Sequence, residues 1–175
     1  MTLALLVAIS VMWIPVAILF LGKGEAKGTG AITGFVGVVV VVGALLQAAV
    51  FEDPFVAGLL FAHGLLYCTV SFALLAGLED LRSVGNVSLT VAVISAVYMV
   101  LFFTGSEGPD GSVLVAKSNY FALACAGYVG LTVEVWLNAY GKLSAKLLAW
   151  SLIVWAVVGL YIPAFSLMAY GRLPL

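Results

Sequence analysis

Long apolar runs separated by short polar breaks set the organisation of this chain. Six runs are each long enough to cross roughly 30 Å of hydrocarbon as a helix. They cover Leu3–Gly22, Gly30–Ala49, Phe55–Leu78, Val87–Thr104, Asn119–Tyr140 and Leu147–Tyr170. Lipid offers the backbone no hydrogen-bond partner, and the alternation expected of membrane barrel strands is missing, so each run is predicted to be helical. The breaks, "KGEAKGTG", "FEDP", "EDLRSVGN", "GSEGPDGSVLVAKS", "GKLSAK" and the tail "GRLPL", are too short to hold a soluble domain. The expected fold is therefore all-α and integral to a membrane, a six-helix bundle forming one transmembrane domain over residues 1–175.

Composition strengthens this reading. The 175 residues are 65% hydrophobic and 9% charged, too little polar surface to coat a soluble globule of this size. A net charge of -1 gives no basic patch for a nucleic-acid partner. With six spans the breaks alternate sides. Lys23, Lys27, Arg82, Lys142 and Lys146 then fall on one face, Lys117 and Arg172 on the other. The positive-inside rule makes the first face cytoplasmic and puts both termini outside, across an inner membrane. The opening segment has no basic region before it and runs to about 20 residues, which reads as a spanning helix rather than a cleaved signal.

Small residues mark where helices should approach. Gly30 and Gly34, Gly58 and Ala62, and Gly64 and Cys68 each share a helical face, and Gly127 with Gly130 nearly repeats the device. Cys68 and Cys125 lie in apolar runs and read as small hydrophobes. Pro15 and Pro163 lie inside helices one and six, where a proline frees a backbone carbonyl and favours a kink.

Chemistry inside a membrane needs ionisable groups, and there are few. Glu134 is the one carboxylate deep in a span, and His63 is the only histidine. No HExxH, Cys/His pair or Ser–Lys arrangement occurs in a span, so neither an enzyme, a metal site nor a cofactor is expected. Glu134 and His63 could form a proton relay, and a proton-coupled small-solute transporter is the runner-up reading. The structural alternative for Glu134 is an acid bonded to a backbone amide or tyrosine. A passive pore for a small neutral solute fits the scarcity of charge better, with Trp13, Phe61, Tyr67, Tyr128 and Trp155 as candidate constricting aromatics. A non-transporting scaffold is the third class.

Three stretches carry a resemblance. "FLGKGEAKGTGAITGFVG" resembles the first cytoplasmic loop and second-helix start of the AmiS/UreI family of urea and short-chain amide channels. "GLLFAHGLLY" is similar to that family's "GLLFGFTYLY" type of third helix, and "LYIPAFSLM" resembles its "WIPAW" or "WIPGF" motif. The resemblance implies one narrow pore per protomer, six protomers in a ring with lipid at its centre, and urea or short-chain amides as solute. It also implies a metabolic link to a cytoplasmic urease or amidase. The family's two constrictions are built from helices one, three and five. Carried over by position, helix one offers Leu6, Ile9 and Trp13, and helix three offers Phe61 and Leu65. With Glu134 on the family's acidic position and supporting the cytoplasmic half, helix five offers Phe121 and Tyr128.

This chain also departs from the family. The proton-gated members have a long histidine-bearing loop between helices two and three, where this chain has only "FEDP", so acid gating is not expected. Phe, Ala, Tyr and Val16 stand where the family has tryptophans along helix five and an asparagine late in helix one, which implies a less polar pore. His63 lies two residues from Phe61, roughly 200° around a helix. If Phe61 faces the pore, His63 faces another helix or a neighbouring protomer as a buried neutral residue. The alternative is a pore-lining hydrogen-bond donor.

Overall fold

The computed structural model describes residues 2–174. Met1 and Leu175, included in the expected 1–175 domain, lie outside them. The described chain is helical, apart from one short hairpin. Helices α1 (Thr2–Phe20), α2 (Ala26–Ala49), α3 (Pro54–Ala76), α4 (Arg82–Thr104) and α5 (Asn119–Ala139) are followed by α6 (Ala145–Trp155), a π turn (Ala156–Tyr161) and α7 (Ile162–Tyr170). Four of these elements and the continuous α6–α7 segment are long and apolar enough to cross a membrane; the apolar part of α1, Ala4–Phe20, is shorter.

Capping chemistry explains where the helices begin. α2 starts at Ala26, inside the polar break and before the predicted Gly30, because the Glu25 carboxylate accepts the orphan N–H groups of Lys27 and Gly28. α4 starts at Arg82, ahead of Val87; its N-cap Leu81 offers no side-chain cap, but the Asp80 carboxylate one residue earlier accepts the Arg82 N–H at 3.0 Å. Asp53, Ser118 and Ser144 cap α3, α5 and α6 in the usual way. α3 also carries proline in its first turn and stops on Gly77, whose φ of 64° is left-handed. The break between α4 and α5 holds the hairpin, Ser106–Glu107 against Val113–Val115. Its turn is closed by Gly108 N–H donating to the Ser112 carbonyl at 2.7 Å.

Pro163 shapes the last segment. Its ring nitrogen has no hydrogen to return to the preceding turn, and there the chain widens into the π turn. The Tyr120 hydroxyl of α5 reaches the carbonyls of Val158 and Gly159, each at 3.3 Å. A side chain thus takes over part of the hydrogen bonding that the proline breaks.

The helices close on themselves: α1 packs on α2, α2 on α3, α3 on α4, α4 on α5, α5 on α6, and α6 back on α1. The closest approach is between α2 and α3. A side chain added at Gly37 would meet Cys68 N at 3.0 Å, and one at Gly64 would meet Val41 N at 3.0 Å. The glycine faces of both helices therefore let backbone touch backbone. Ser71 Oγ seals the contact by donating to the Gly30 carbonyl at 2.7 Å. Outward faces are strongly apolar, with Phe35, Phe72, Val93, Phe103 and Phe165 all exposed. No water-facing globule would present such a surface, and a bilayer covers it.

Candidate functional site

A closed ring of helices leaves an interior, and here it holds two cavities in line. The larger, about 120 Å³, opens among Leu19 and Phe20 at the end of α1, Leu81 just before α4, Val84 in its first turn, and Asn138 and Ala139 at the end of α5. The smaller, about 70 Å³, opens toward the opposite helix ends, among Leu5 and Leu6 of α1, Val56 of α3, Phe102 of α4 and Tyr120 of α5. Both exceed the roughly 10–15 Å³ needed to hold one water. Neither is lined by an Asp, Glu, Lys or Arg among the described residues.

Three residues line both cavities, His63, Tyr67 and Tyr128, and so form the waist between them. The Tyr128 ring lies 4.7 Å from that of His63 and stands edge-on to Trp13 at 5.9 Å, while His63 and Tyr67 are 6.2 Å apart. Helices α1, α3 and α5 therefore each contribute an aromatic wall. His63 and Tyr67 are four residues apart, which puts them on one face of α3 one turn above the other.

His63 is only 4% exposed. Its Nδ1 lies 3.0 Å from the Leu59 carbonyl, which can only accept, so Nδ1 carries the proton. Nε2 is buried without a hydrogen-bond partner among the described residues, and the Tyr67 hydroxyl, whose oxygen faces the donating indole of Trp13, has no acceptor there for its own hydrogen. Buried polar groups are almost always paired, so two orphans at one constriction call for an explanation.

The sequence-derived site residues divide. Trp13 and Tyr128 meet at the waist, and Leu6, Ile9 and Phe121 line the smaller cavity. Phe61 and Leu65 require correction. They are 38% and 47% exposed on the outer face of α3 and line neither cavity. The reason is helical phase. Gly64, Cys68 and Ser71 are consumed by the contact with α2. This turns His63, Tyr67 and Val70 inward and leaves Phe61, Leu65 and Phe72 outside. The premise that sent His63 away from the pore, an inward Phe61, thus fails.

Tyr67 is the residue that sequence reasoning undervalued, naming it only among general aromatic candidates; the signal was its four-residue spacing from the lone histidine. Glu134 lines neither cavity. Its Oε1 accepts from Ser151 Oγ at 3.0 Å, a serine of α6 rather than the expected backbone amide or tyrosine, and its Oε2 is buried without a partner. No cluster of three or more metal-ligating side chains occurs among the described residues, and Cys68 and Cys125 are free thiols.

The loops at the larger cavity's end are charged, and two of their carboxylates are held by hydrogen bonds within the loop itself. Arg82 forks onto Asp80, its closest contact 2.6 Å, and these side-chain hydrogen bonds hold the Asp80 carboxyl down at about 2. The Gly28 and Lys27 N–H groups likewise lower Glu25.

The crystal structure of the urea channel from the human gastric pathogen Helicobacter pylori superposes with a TM-score of 0.78 at 20% identity, covering 99% of this chain and 100% of that one. A cryoEM structure of the Helicobacter pylori urea channel in a closed state gives a TM-score of 0.76 at 19% identity, with 99% and 100% covered. At such identities the likeness is one of fold. No curated protein is matched. The sequence itself matches the AmiS/UreI family of transporters over residues 1–170, so the chain is a membrane transporter and not an enzyme: it belongs to the AmiS/UreI family.

Proposed function

We propose that this protein is a passive channel for a small neutral solute, urea or a short-chain aliphatic amide. The observation that carries the proposal is the pair of uncharged cavities meeting at the His63–Tyr67–Tyr128 waist. An ion entering such a lining would leave its hydration shell with no charge to replace it, a cost of many kcal/mol. A planar neutral amide would lose only its hydrogen bonds to water. The aromatic faces at the waist suit its flat shape, and passage would be in single file. The family membership and the fold shared with two solved structures of one urea channel support this solute class.

Six spans would carry this pore through an inner membrane, with both termini on the non-cytoplasmic side and the Lys23, Arg82 and Lys142 breaks in the cytoplasm. Six protomers would form the ring, each with its own pore and with apolar outer faces such as that of Phe61 and Leu65 against lipid or a neighbour. The chain would form one transmembrane domain, feeding a cytoplasmic urease or amidase. Acid gating is not proposed, because the α2–α3 break holds only Val50–Asp53 and no histidine. In this reading Trp13, Leu6, Ile9 and Phe121 wall the path and Glu134 braces α5 against α6.

Stopped-flow light scattering on proteoliposomes tests the proposal, with urea, acetamide and glycerol influx measured with and without an imposed pH gradient. Rapid urea or acetamide entry that ignores the gradient is expected. Entry that requires the gradient would move the case to a Glu134-dependent transporter, and no entry of any solute would leave a fold without this function.

A further inference from the structure

The cavities, loop charges and outer faces are all accounted for by the reading above, but the two orphaned polar atoms at the waist are not. His63 is 4% and Tyr67 6% exposed, yet His63 Nε2 has no donor and the Tyr67 hydroxyl hydrogen no acceptor among the described residues, the indole of Trp13 being able only to donate to the tyrosine oxygen. A buried polar group left unsatisfied is destabilising, and two of them would be a poor choice for a purely structural plug. The Nδ1 bond to the Leu59 carbonyl at 3.0 Å decides what the histidine can offer. With the proton on Nδ1, the neutral ring presents a lone pair at Nε2. His63 is therefore an acceptor at the waist rather than the donor expected of a pore-lining histidine.

We infer that His63 Nε2 and the Tyr67 hydroxyl form a two-point solute site at the waist, which selects a planar molecule carrying an N–H donor beside a carbonyl acceptor. The inference rests on the passive-channel reading and names the chemistry that reading would select. Nε2 takes the solute's N–H, and the tyrosine hydroxyl donates to its carbonyl oxygen. Tyr128, 4.7 Å from the His63 ring, supplies the flat wall against which the solute plane lies. As a solute separates the three rings it satisfies the orphans, so the hydrogen bonds it gives up on leaving water are returned at the narrowest point. The same solute leaves the orphans behind when it exits, which keeps the site weak enough for conduction.

The chain's single histidine makes a direct test practical. In lipid bilayers, 15N-histidine-labelled protein is expected to show a protonated Nδ1 and an unprotonated Nε2. The Nε2 resonance should move on adding acetamide and stay still with an equal concentration of N,N-dimethylformamide, which lacks an N–H. A proton on Nε2, or a resonance that acetamide leaves in place, would overturn the inference. In proteoliposomes His63→Phe should lower acetamide flux about tenfold, the scale of one lost hydrogen bond, and His63→Gln, whose amide oxygen supplies an acceptor, should restore part of it. Equal flux in wild type and H63F would also overturn it. If wild type passes no solute but the resonance still shifts with acetamide, the channel reading fails while the binding site stands. If wild type conducts and no shift occurs, the site alone fails.

Discussion

Glu134 is the residue whose charge most tempts a mechanism, and its surroundings argue against one. Ser151 Oγ donates to Oε1 at 3.0 Å, and neither cavity is lined by this side chain. Glu134→Gln is therefore expected to leave urea or acetamide flux within about twofold of wild type and to change stability by no more than about 1 kcal/mol, the worth of one hydrogen bond. Parallel flux and thermal-unfolding measurements on the same preparation check this; loss of flux at unchanged stability would return Glu134 to the mechanism. What the sequence revealed at this scale was residue type. The scarcity of ions, the lone histidine and the aromatic supply were all legible, and so was Trp13. Which of Phe61 and His63 turns inward was not, because two residues 200° apart are equivalent until a third contact fixes the phase. That contact is the Gly64–Cys68–Ser71 face against α2, whose composition was visible while its partner was not.

At the scale of elements, the α2–α3 crossing and the π turn carry the most consequence for the pore. A Cβ at Gly64 would stand 2.7 Å from Val41 Cγ2, 3.0 Å from Val41 N and 3.2 Å from the Gly37 carbonyl, so the helices must part to admit it. Gly64→Ala should destabilise by about 1–3 kcal/mol, the usual cost of overpacking. Gly130→Ala, with nothing within 4 Å of the added carbon, should cost nothing. Unfolding in detergent separates the two variants. Tyr120→Phe should cost about 1 kcal/mol, because the Val158 and Gly159 carbonyls lose their shared donor; no change would detach the tyrosine from the π turn. The kink-prone place was readable from Pro163. Its repair by a hydroxyl on α5 was not, since that depends on a tertiary contact. The early starts of α2 and α4 escaped hydropathy for a simpler reason: Glu25 caps α2 and Asp80 accepts the first N–H of α4, and both first turns are polar and stand outside the apolar runs.

The whole molecule is a helical ring around a divided, uncharged interior, and its behaviour with pH should follow from that. Outside the helices the perturbed carboxyls Glu25, Asp80 and Asp110 are all shifted downward by hydrogen bonds, Asp80 to about 2. For a lowered carboxyl any contribution is present above the unfolded pKa and lost only as pH falls through the lowered folded value. The contacts at Asp80 thus persist until pH approaches about 2. Flux should be level between about pH 5 and pH 8, the window in which a histidine gate would act, as a pH series in the stopped-flow assay would show; a steep rise on acidification would restore gating. The all-helical, membrane-spanning character and the family were legible at this scale because hydropathy and order survive along a single chain. The waist was not, because it is assembled from three helices far apart in sequence.

Solute is proposed to cross at His63–Tyr67–Tyr128, inside the ring. The most direct measurement adds the same bulk at two places, Tyr128→Trp at the waist and Phe61→Trp on the outer face, and compares acetamide influx by stopped-flow light scattering at equal protein density in proteoliposomes. The first variant is expected to fall to the rate of empty liposomes while the second conducts as wild type does. Blockage by Phe61→Trp with Tyr128→Trp still conducting would contradict it and move the pathway outside the ring.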